Sequence, residues 1–280
     1  MKYSVGPGHV TVIAEIGENH LGQMDIARRM IEEATRAGAD MVKFQSYHGE
    51  DAHEDDPERD WFCKIELSDS DHRQLRAYAV QQGTEFLSSP FSVERARFLC
   101  EGLGLRKIKV ASSEMVNFSL LDYLNERAEM VFLSTGMATI EEVKEAVAHL
   151  GQVKTVVILH CVSQYPTEDD EANLRAISTL MEAFPNYQIG YSDHTIGIDA
   201  VLAAVALGAT VIEKHFTLAK TLPGTDHIVS ATPEELAEMV RRIRRIELLL
   251  GSGVKAPVLR EQAVRELVRR RWKKAQRSGV

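Results

Sequence analysis

VTVIAEIGENHLGQMDIARRMIEEATRAGADMVKFQ, residues 10–45, holds two short apolar runs on either side of one amphipathic stretch. VTVIAEI (10–16) and DMVKFQ (40–45) are rich in β-branched and apolar residues, the composition of buried strands. Between them, MDIARRMIEEATRAG (24–38) repeats apolar residues every three or four positions and ends in Gly38, a C-cap residue. Strand, helix, strand in that order is the unit of a parallel sheet.

The alternation continues outward from this unit. Six more strand-like runs follow: EFLSS (85–89), RKIKVA (106–111), MVFLS (130–134), TVVILHC (155–161), QIGYS (188–192) and TVIEKHF (210–216). Helical patterns separate them, such as TIEEVKEAVAHLG (139–151), opened by Thr139 as N-cap. Eight βα pairs predict an α/β fold, a (β/α)8 TIM barrel in a single domain. An open doubly wound sheet would carry a Gly-rich phosphate turn after its first strand, and this sequence has none. No repeat and no Gly-, Pro- or Ser-rich linker divides the chain before Gly251, so the barrel is expected over 1–253. GSGVKAP (251–257) reads as the exit, and 254–280 as a short basic C-terminal helical tail.

Hydrophobic residues make up 44% of the 280 and charged residues 26%, which places the chain among ordinary soluble globular proteins. No run of eighteen apolar residues occurs, and MKYSVGPGHV lacks the charged and apolar regions of a signal peptide, so a cytoplasmic protein with no membrane partner is expected. Cys63, Cys100 and Cys161 follow no metal-knuckle or disulfide spacing, as expected of reduced thiols. A formal net charge of -8 excludes a general nucleic-acid binder, which needs a basic face to displace counterions. The tail alone is basic, through Lys255, Arg260, Arg265, Arg269, Arg270, Arg271, Lys273, Lys274 and Arg277, and reads as a solvated helix.

In a barrel of this kind the active site lies at the C-terminal ends of the strands, so polar residues there are the suspects. Strand by strand these are Glu15; Lys43 and Gln45; Ser88 and Ser89; Lys109, Ser112 and Glu114; Ser134 and Thr135; His160, Ser163 and Tyr165; Ser192, Asp193 and His194; Glu213 and His215. A hydroxyl after a strand is often an N-cap, and a lone buried His is often core. Lysines inside apolar strands, however, are costly to bury without anionic partners. Lys43, Lys109 and several strand-end hydroxyls therefore predict a phosphate or carboxylate pocket. Along the eighth strand, period-two alternation sends Glu213 and His215 to one face and Lys214 to the other. His194 leaves the neighbouring strand at the same level, so two imidazoles could share a divalent ion with open positions; neither their number nor their spacing is diagnostic.

The blocks AEIGENHLG, AGADMVKFQ, FLSSPF, KIKVASSE, FLSTGMAT, LHCVSQYP, NLRAI, GYSDHTIG, AVALGATVIEKHFT and PGTDH, in that order, resemble the catalytic domain of the N-acetylneuraminate (sialic acid) synthases. The resemblance covers nearly the whole barrel. It implies phosphoenolpyruvate held by Lys43, Ser89, Lys109, Ser112, Ser134, Ser163, Tyr165 and Ser192, with Ser89 where the family commonly has Thr. It implies metal ligands at His194 and His215, normally for Mn²⁺, with Mg²⁺ or Co²⁺ as alternatives. Glu15 matches an acidic residue beside the reacting carbons, and Glu213 a second carboxylate near phosphate and water. Gln45, Glu114 and Asp226 match positions that meet the sugar.

Ser113 replaces a Gly common in the family and is expected to reshape the acceptor end. The family's C-terminal antifreeze-like domain, which caps the partner's site, is expected to be absent. A homodimer is expected, with the stretch from Pro257 to Val280 or a separate capping protein in place of that cap. The implied activity is condensation of phosphoenolpyruvate with an aldehyde sugar such as N-acetylmannosamine, giving a 2-keto-3-deoxy acid and phosphate. Competing readings are a Schiff-base barrel aldolase using Lys43 or Lys109, and a non-catalytic sugar-phosphate-binding barrel that needs a partner.

Overall fold

A computed structural model of the chain describes residues 8–277, and side chains through Arg270. The N-terminal MKYSVGP and the tail side chains of Arg271, Lys273, Lys274 and Arg277 lie outside that description.

Eight parallel strands run in the order β3-β2-β1-β8-β7-β6-β5-β4. They are β1 (Thr11–Gly17), β2 (Met41–Ser46), β3 (Glu85–Pro90), β4 (Lys107–Val110), β5 (Met130–Ser134), β6 (Thr155–Cys161), β7 (Gln188–Asp193) and β8 (Val211–His215). β3 and β4 pack side by side and bring the sheet nearly to closure. Each lies within about two residues of the run that predicted it, and the predicted TIM barrel is the observed fold.

Helices α1 (Met24–Ala37), α2 (Arg59–Ile65), α3 (Asp69–Gln82), α4 (Val93–Arg97), α5 (Phe118–Arg127), α6 (Ile140–His149), α7 (Ala176–Ala183), α8 (Asp199–Ala206) and α9 (Pro233–Leu250) connect and close the units, and α10 (Glu261–Arg277) follows. Gly38 ends α1 at φ 92°, a left-handed conformation that Gly adopts without steric cost. Thr139 accepts from the Glu142 backbone while Glu142 reaches back to Thr139, a capping box that fixes the start of α6. Leu248, Leu249 and Leu250 at the end of α9 are exposed, as are Val258, Leu259, Val264, Leu267 and Val268 around α10. Packing of these tail residues on the chain's own barrel is therefore not seen among the described residues.

The barrel interior is layered. Ile13, Met41, Leu87, Phe132, Val157, Leu159 and Val211 form one buried apolar cluster in the lumen, distinct from the larger core between sheet and helices. Two positions further along, on the same face of each strand, come Glu15, Lys43, Ser89, Ser134, Cys161 and Glu213. The apolar layer thus forms a floor on which polar side chains stand. At the opposite end, Arg244 of α9 donates to the Val10 carbonyl at 2.8 Å and meets Asp40 at 3.1 Å, tying the last barrel helix beneath the first strand.

Candidate active site

A cavity of about 710 Å³ opens above this floor. All the residues to which the resemblance gives a role line it: Glu15, Lys43, Gln45, Ser89, Lys109, Ser112, Glu114, Ser134, Ser163, Tyr165, Ser192, His194, Glu213, His215 and Asp226.

Two lysines and two carboxylates make its deep end. Lys43 Nζ lies 2.8 Å from Glu15 Oε2, 3.8 Å from Glu213 Oε2 and 3.1 Å from Ser89 Oγ. Lys109 Nζ donates to the Val110 carbonyl at 3.1 Å and lies 3.6 Å from Glu213 Oε1, which also accepts from Ser192 Oγ at 2.9 Å. Burial disfavours both ammonium groups. For Lys43 the charges of Glu15 and Glu213 outweigh burial and hold it above its usual range, whereas for Lys109 burial wins and holds it below. Burial also opposes the charge on Glu213, but Lys109 and Lys43 overcome it and bring that carboxyl down to about 2.

Two buried polar atoms here have no hydrogen-bond partner: Ser134 Oγ, and Glu213 Oε2, which Lys43 approaches only to 3.8 Å. Buried polar groups are normally satisfied, so orphans that converge on one cavity are the mark of a polar ligand. Gly136 adds a close approach. Its N–H donates to Ser112 Oγ at 3.0 Å, and a Cβ there would stand 2.2 Å from Ser163 Oγ and 2.7 Å from Ser112 Oγ.

His194 and His215 stand with ring centres 5.3 Å apart, and Tyr165 packs against both, 4.0 Å from the first and 5.6 Å from the second. His194 Nδ1 lies 2.6 Å from the Val162 carbonyl, a contact that fixes the orientation of the ring. His215 Nδ1 lies 3.2 Å from Asp226 Oδ2. Burial pushes the His215 imidazole down, yet Asp226 outweighs it and holds it above its usual range. Among the described residues no group of three or more His, Cys, Asp and Glu gathers as a metal site. Two imidazoles that share one ion at about 2.1 Å each hold their ring centres roughly 5 Å apart, so the pair fits two-point ligation with positions left for substrate oxygens or water.

Three of the strand-end suspects point elsewhere. Asp193 is sealed outside the lumen, where it binds Lys214 Nζ at 2.6 Å and accepts from Thr195 and Tyr191. His160 meets the Ala172 carbonyl at 2.9 Å, and Thr135 donates to the Leu159 carbonyl at 2.9 Å. All three are structural, since period-two alternation turns them away from their cavity-lining neighbours Ser192, Cys161 and Ser134. Ser88 is likewise buried beside Ser89 without lining the cavity.

Sequence reasoning missed the mouth. The segment between β2 and α3 brings Tyr47, His48, Asp51, Asp56, Glu58 and Phe62 over the cavity. Glu18, which follows β1, also lines it, and its Oε2 accepts from Trp61 Nε1 of α2 at 2.8 Å. Cys161 stands deeper, 3.6 Å from Ser112 Oγ.

The chain is 38% identical over 280 residues to the N,N'-diacetyllegionaminic acid synthase of Legionella pneumophila, covering 92% of this chain and 78% of that one. It is 37% identical over 270 residues to the human N-acetylneuraminate-9-phosphate synthase, covering 91% and 75%. A solved N-acetylneuraminic acid synthetase from Leptospira borgpetersenii, in complex with citrate, superposes with a TM-score of 0.89 at 38% identity, covering 94% of this chain and 92% of that one. No helix among the described residues is long and apolar enough to cross a membrane. Residues 30–255 match the NeuB family, and with these relatives the match establishes that the chain is a phosphoenolpyruvate-condensing enzyme of the NeuB family.

Proposed function

We propose that the enzyme condenses phosphoenolpyruvate with an aldehyde sugar of the N-acetylmannosamine kind, giving a 2-keto-3-deoxy acid of the nonulosonic type and inorganic phosphate. The observation that carries this is the deep end of the cavity, where two buried lysines and the orphaned Ser134 hydroxyl converge. Such a group binds a compact, doubly anionic ligand through charge-assisted hydrogen bonds.

Lys43 and Lys109, with Ser89, Ser112, Ser134, Ser163, Tyr165 and Ser192, hold the phosphate and carboxylate. The enol C3 attacks the aldehyde carbon, forming the new C–C bond. Water adds at C2, and the resulting tetrahedral carbon loses phosphate by C–O cleavage. The water proton passes to Glu15 or Glu213, both beside Lys43. The lysines stabilise the departing phosphate. Gln45, Glu114 and Asp226 orient the sugar hydroxyls. His194 and His215 would hold a divalent cation, Mn²⁺ foremost, with Mg²⁺ or Co²⁺ as substitutes. When bound, that ion supplies Lewis acidity to the aldehyde oxygen. A homodimer is part of the same proposal, with the exposed apolar residues at the end of α9 and around α10 as its candidate contact.

The test is phosphate release from phosphoenolpyruvate carrying ¹⁸O in the C–O–P bridge, with Mn²⁺ and a panel of aldoses. Label in the released phosphate together with a new keto acid supports the reading. One observation favours a second reading: Lys109 is a buried amine held below its usual range, as a Schiff-base nucleophile needs to be. Borohydride inactivation in the presence of pyruvate would favour that aldolase over the condensation. A catalytically silent barrel predicts neither outcome.

A further inference from the structure

The segment that carries the cavity mouth leaves the barrel at Ser46 and returns at the start of α3, and one buried guanidinium holds both of its feet. Arg95 of α4 is 3% exposed. Its Nε donates to Ser46 Oγ at 2.9 Å, and its Nη1 donates at 2.8 Å to Oδ1 of Asp69, the first residue of α3. Its guanidinium carbon lies 4.6 Å from the centre of the Phe98 ring. His72 packs edge-on against the same ring at 5.7 Å, and its Nδ1 lies 3.0 Å from the carbonyl of Ser68, the N-cap of α3. Between the two feet run Tyr47, His48, Asp51, Asp56, Glu58 and Phe62, all lining the cavity.

Resting on the condensation reading above, which sets Gln45 against the sugar, we propose that Arg95 is a positioning residue: acting through Ser46 and Asp69, it fixes the acceptor end of the cavity and leaves the anion pocket undisturbed. Gln45 needs such support. Pairing of β2 with β1 ends at Phe44, so Gln45 and Ser46 are paired with β3 alone. Gln45 turns into the cavity, where its Nε2 donates to Glu15 Oε1 at 3.3 Å, and Ser46 turns the other way, to Arg95. Lys43, by contrast, is paired on both sides, with Glu15 and with Leu87. Ser89 apart, the other anion-pocket residues lie on β4 to β7 and the turns that follow them.

Packing alone does not account for a charge at this place. The Asp69 side chain is 51% exposed, so the ion pair adds little to stability. Arg95 Nη2 and His72 Nε2 are both buried without a hydrogen-bond partner, a penalty that an apolar side chain of similar volume would avoid. What the guanidinium offers instead is its planar fork, two donors at a fixed separation that set Ser46 and Asp69 relative to each other. Substrate-orienting groups need that kind of constraint, because small displacements cost turnover.

The test is steady-state kinetics of the full chain with Mn²⁺, varying in turn phosphoenolpyruvate and N-acetylmannosamine, or whichever aldose of the panel gives most keto acid. Arg95→Met should raise the sugar KM about 10-fold or more and hold the phosphoenolpyruvate KM within about twofold. Arg95→Lys keeps a cation for Asp69 without the fork, so the sugar KM should rise nearly as far. Ser46→Ala frees one foot without touching the charge, and serves as the measure if the Arg95 variants fold poorly. It should raise the sugar KM about threefold or more, and adding Arg95→Met to it should multiply that KM by less than Arg95→Met does alone. A sugar KM unchanged in Ser46→Ala, or equal rises in both KM values in any variant, overturns this inference and leaves the condensation intact. Absence of keto acid from every aldose with the parent chain overturns the condensation reading and this inference with it.

Discussion

Lys43 and Glu15 are register partners on adjacent strands, and their charges meet at 2.8 Å with almost no access to water. Removing the lysine leaves Glu15 and Glu213 buried without their shared cation. Lys43→Met should therefore cost about 3–5 kcal/mol of stability in denaturant unfolding. The double change Lys43→Met with Glu15→Gln should recover much of that loss and none of the turnover. A double variant that regains activity would remove both residues from the chemistry.

Lys109 differs, because its ammonium is already disfavoured by burial and has one carboxylate, Glu213, at 3.6 Å. Lys109→Ala is expected to raise the KM for phosphoenolpyruvate by about 10–100-fold while that of the sugar moves little. Steady-state kinetics with each substrate varied in turn decide it. Equal effects on both would contradict the anion-pocket assignment.

His194→Ala or His215→Ala should lower bound Mn²⁺ at least about tenfold and abolish condensation, with circular dichroism unchanged. Neither ring belongs to the apolar core, so truncation opens into the existing cavity. Full metal content in either variant would place the ion elsewhere.

Stability should fall on mild acidification for a reason outside the cavity. Burial pushes the His20 imidazole down to about 4 and also lowers His72. His20 Nδ1 accepts from the Gly22 N–H at 3.0 Å, a bond that its protonation would break. Both groups are neutral in the fold, whereas in the unfolded chain they bind protons near their ordinary value. Protons thus favour the unfolded chain between about pH 6.5 and 4, and stability declines as pH falls through that window. The His20 part amounts to on the order of 3 kcal/mol. Denaturant midpoints measured across this window check it, and a flat profile would refute it. His20→Asn should flatten the slope.

The strands and the lumen face of the site were readable because alternation is strict there. The apolar floor at Ile13, Met41, Leu87, Phe132, Leu159 and Val211 fixes which face points inward, and two residues later the polar set follows. The same rule, applied one residue at a time, would also have turned Asp193 and His160 outward. Treating every polar strand end as a suspect set that signal aside. The mouth had no such period to read. Glu18, Tyr47, Asp56 and Glu58 sit in loops and short turns whose course depends on contacts such as Trp61 with Glu18, which no local pattern encodes.

Gly136 is the residue whose role only the packed structure discloses, since in the sequence FLSTGMAT it reads as one more loop glycine. Its Cα stands where any Cβ would lie 2.2 Å from Ser163 Oγ and 2.7 Å from Ser112 Oγ, far inside contact distance. Its φ is not among the positive ones, so the demand is for space and not for backbone freedom. Gly136→Ala should leave the fold nearly intact, because Ser163 is half-buried and can rotate away. That rotation would move a hydroxyl out of the anion pocket and press on the Ser112 side chain that receives the Gly136 N–H. A positional error near 1 Å in a site of this kind costs on the order of 100-fold. The expected result is a Tm lowered by only a few degrees, with kcat/KM for phosphoenolpyruvate down about 100-fold. A Ser163→Gly change in the Gly136→Ala background removes the closer of the two contacts but not the one to Ser112, and it deletes the Ser163 hydroxyl, so it should return the lost Tm and little of the lost kcat/KM. If Gly136→Ala binds and turns over phosphoenolpyruvate like the parent enzyme, the two serines do not hold the anion and the pocket must be drawn from Lys43, Lys109, Ser89, Ser134 and Ser192 alone.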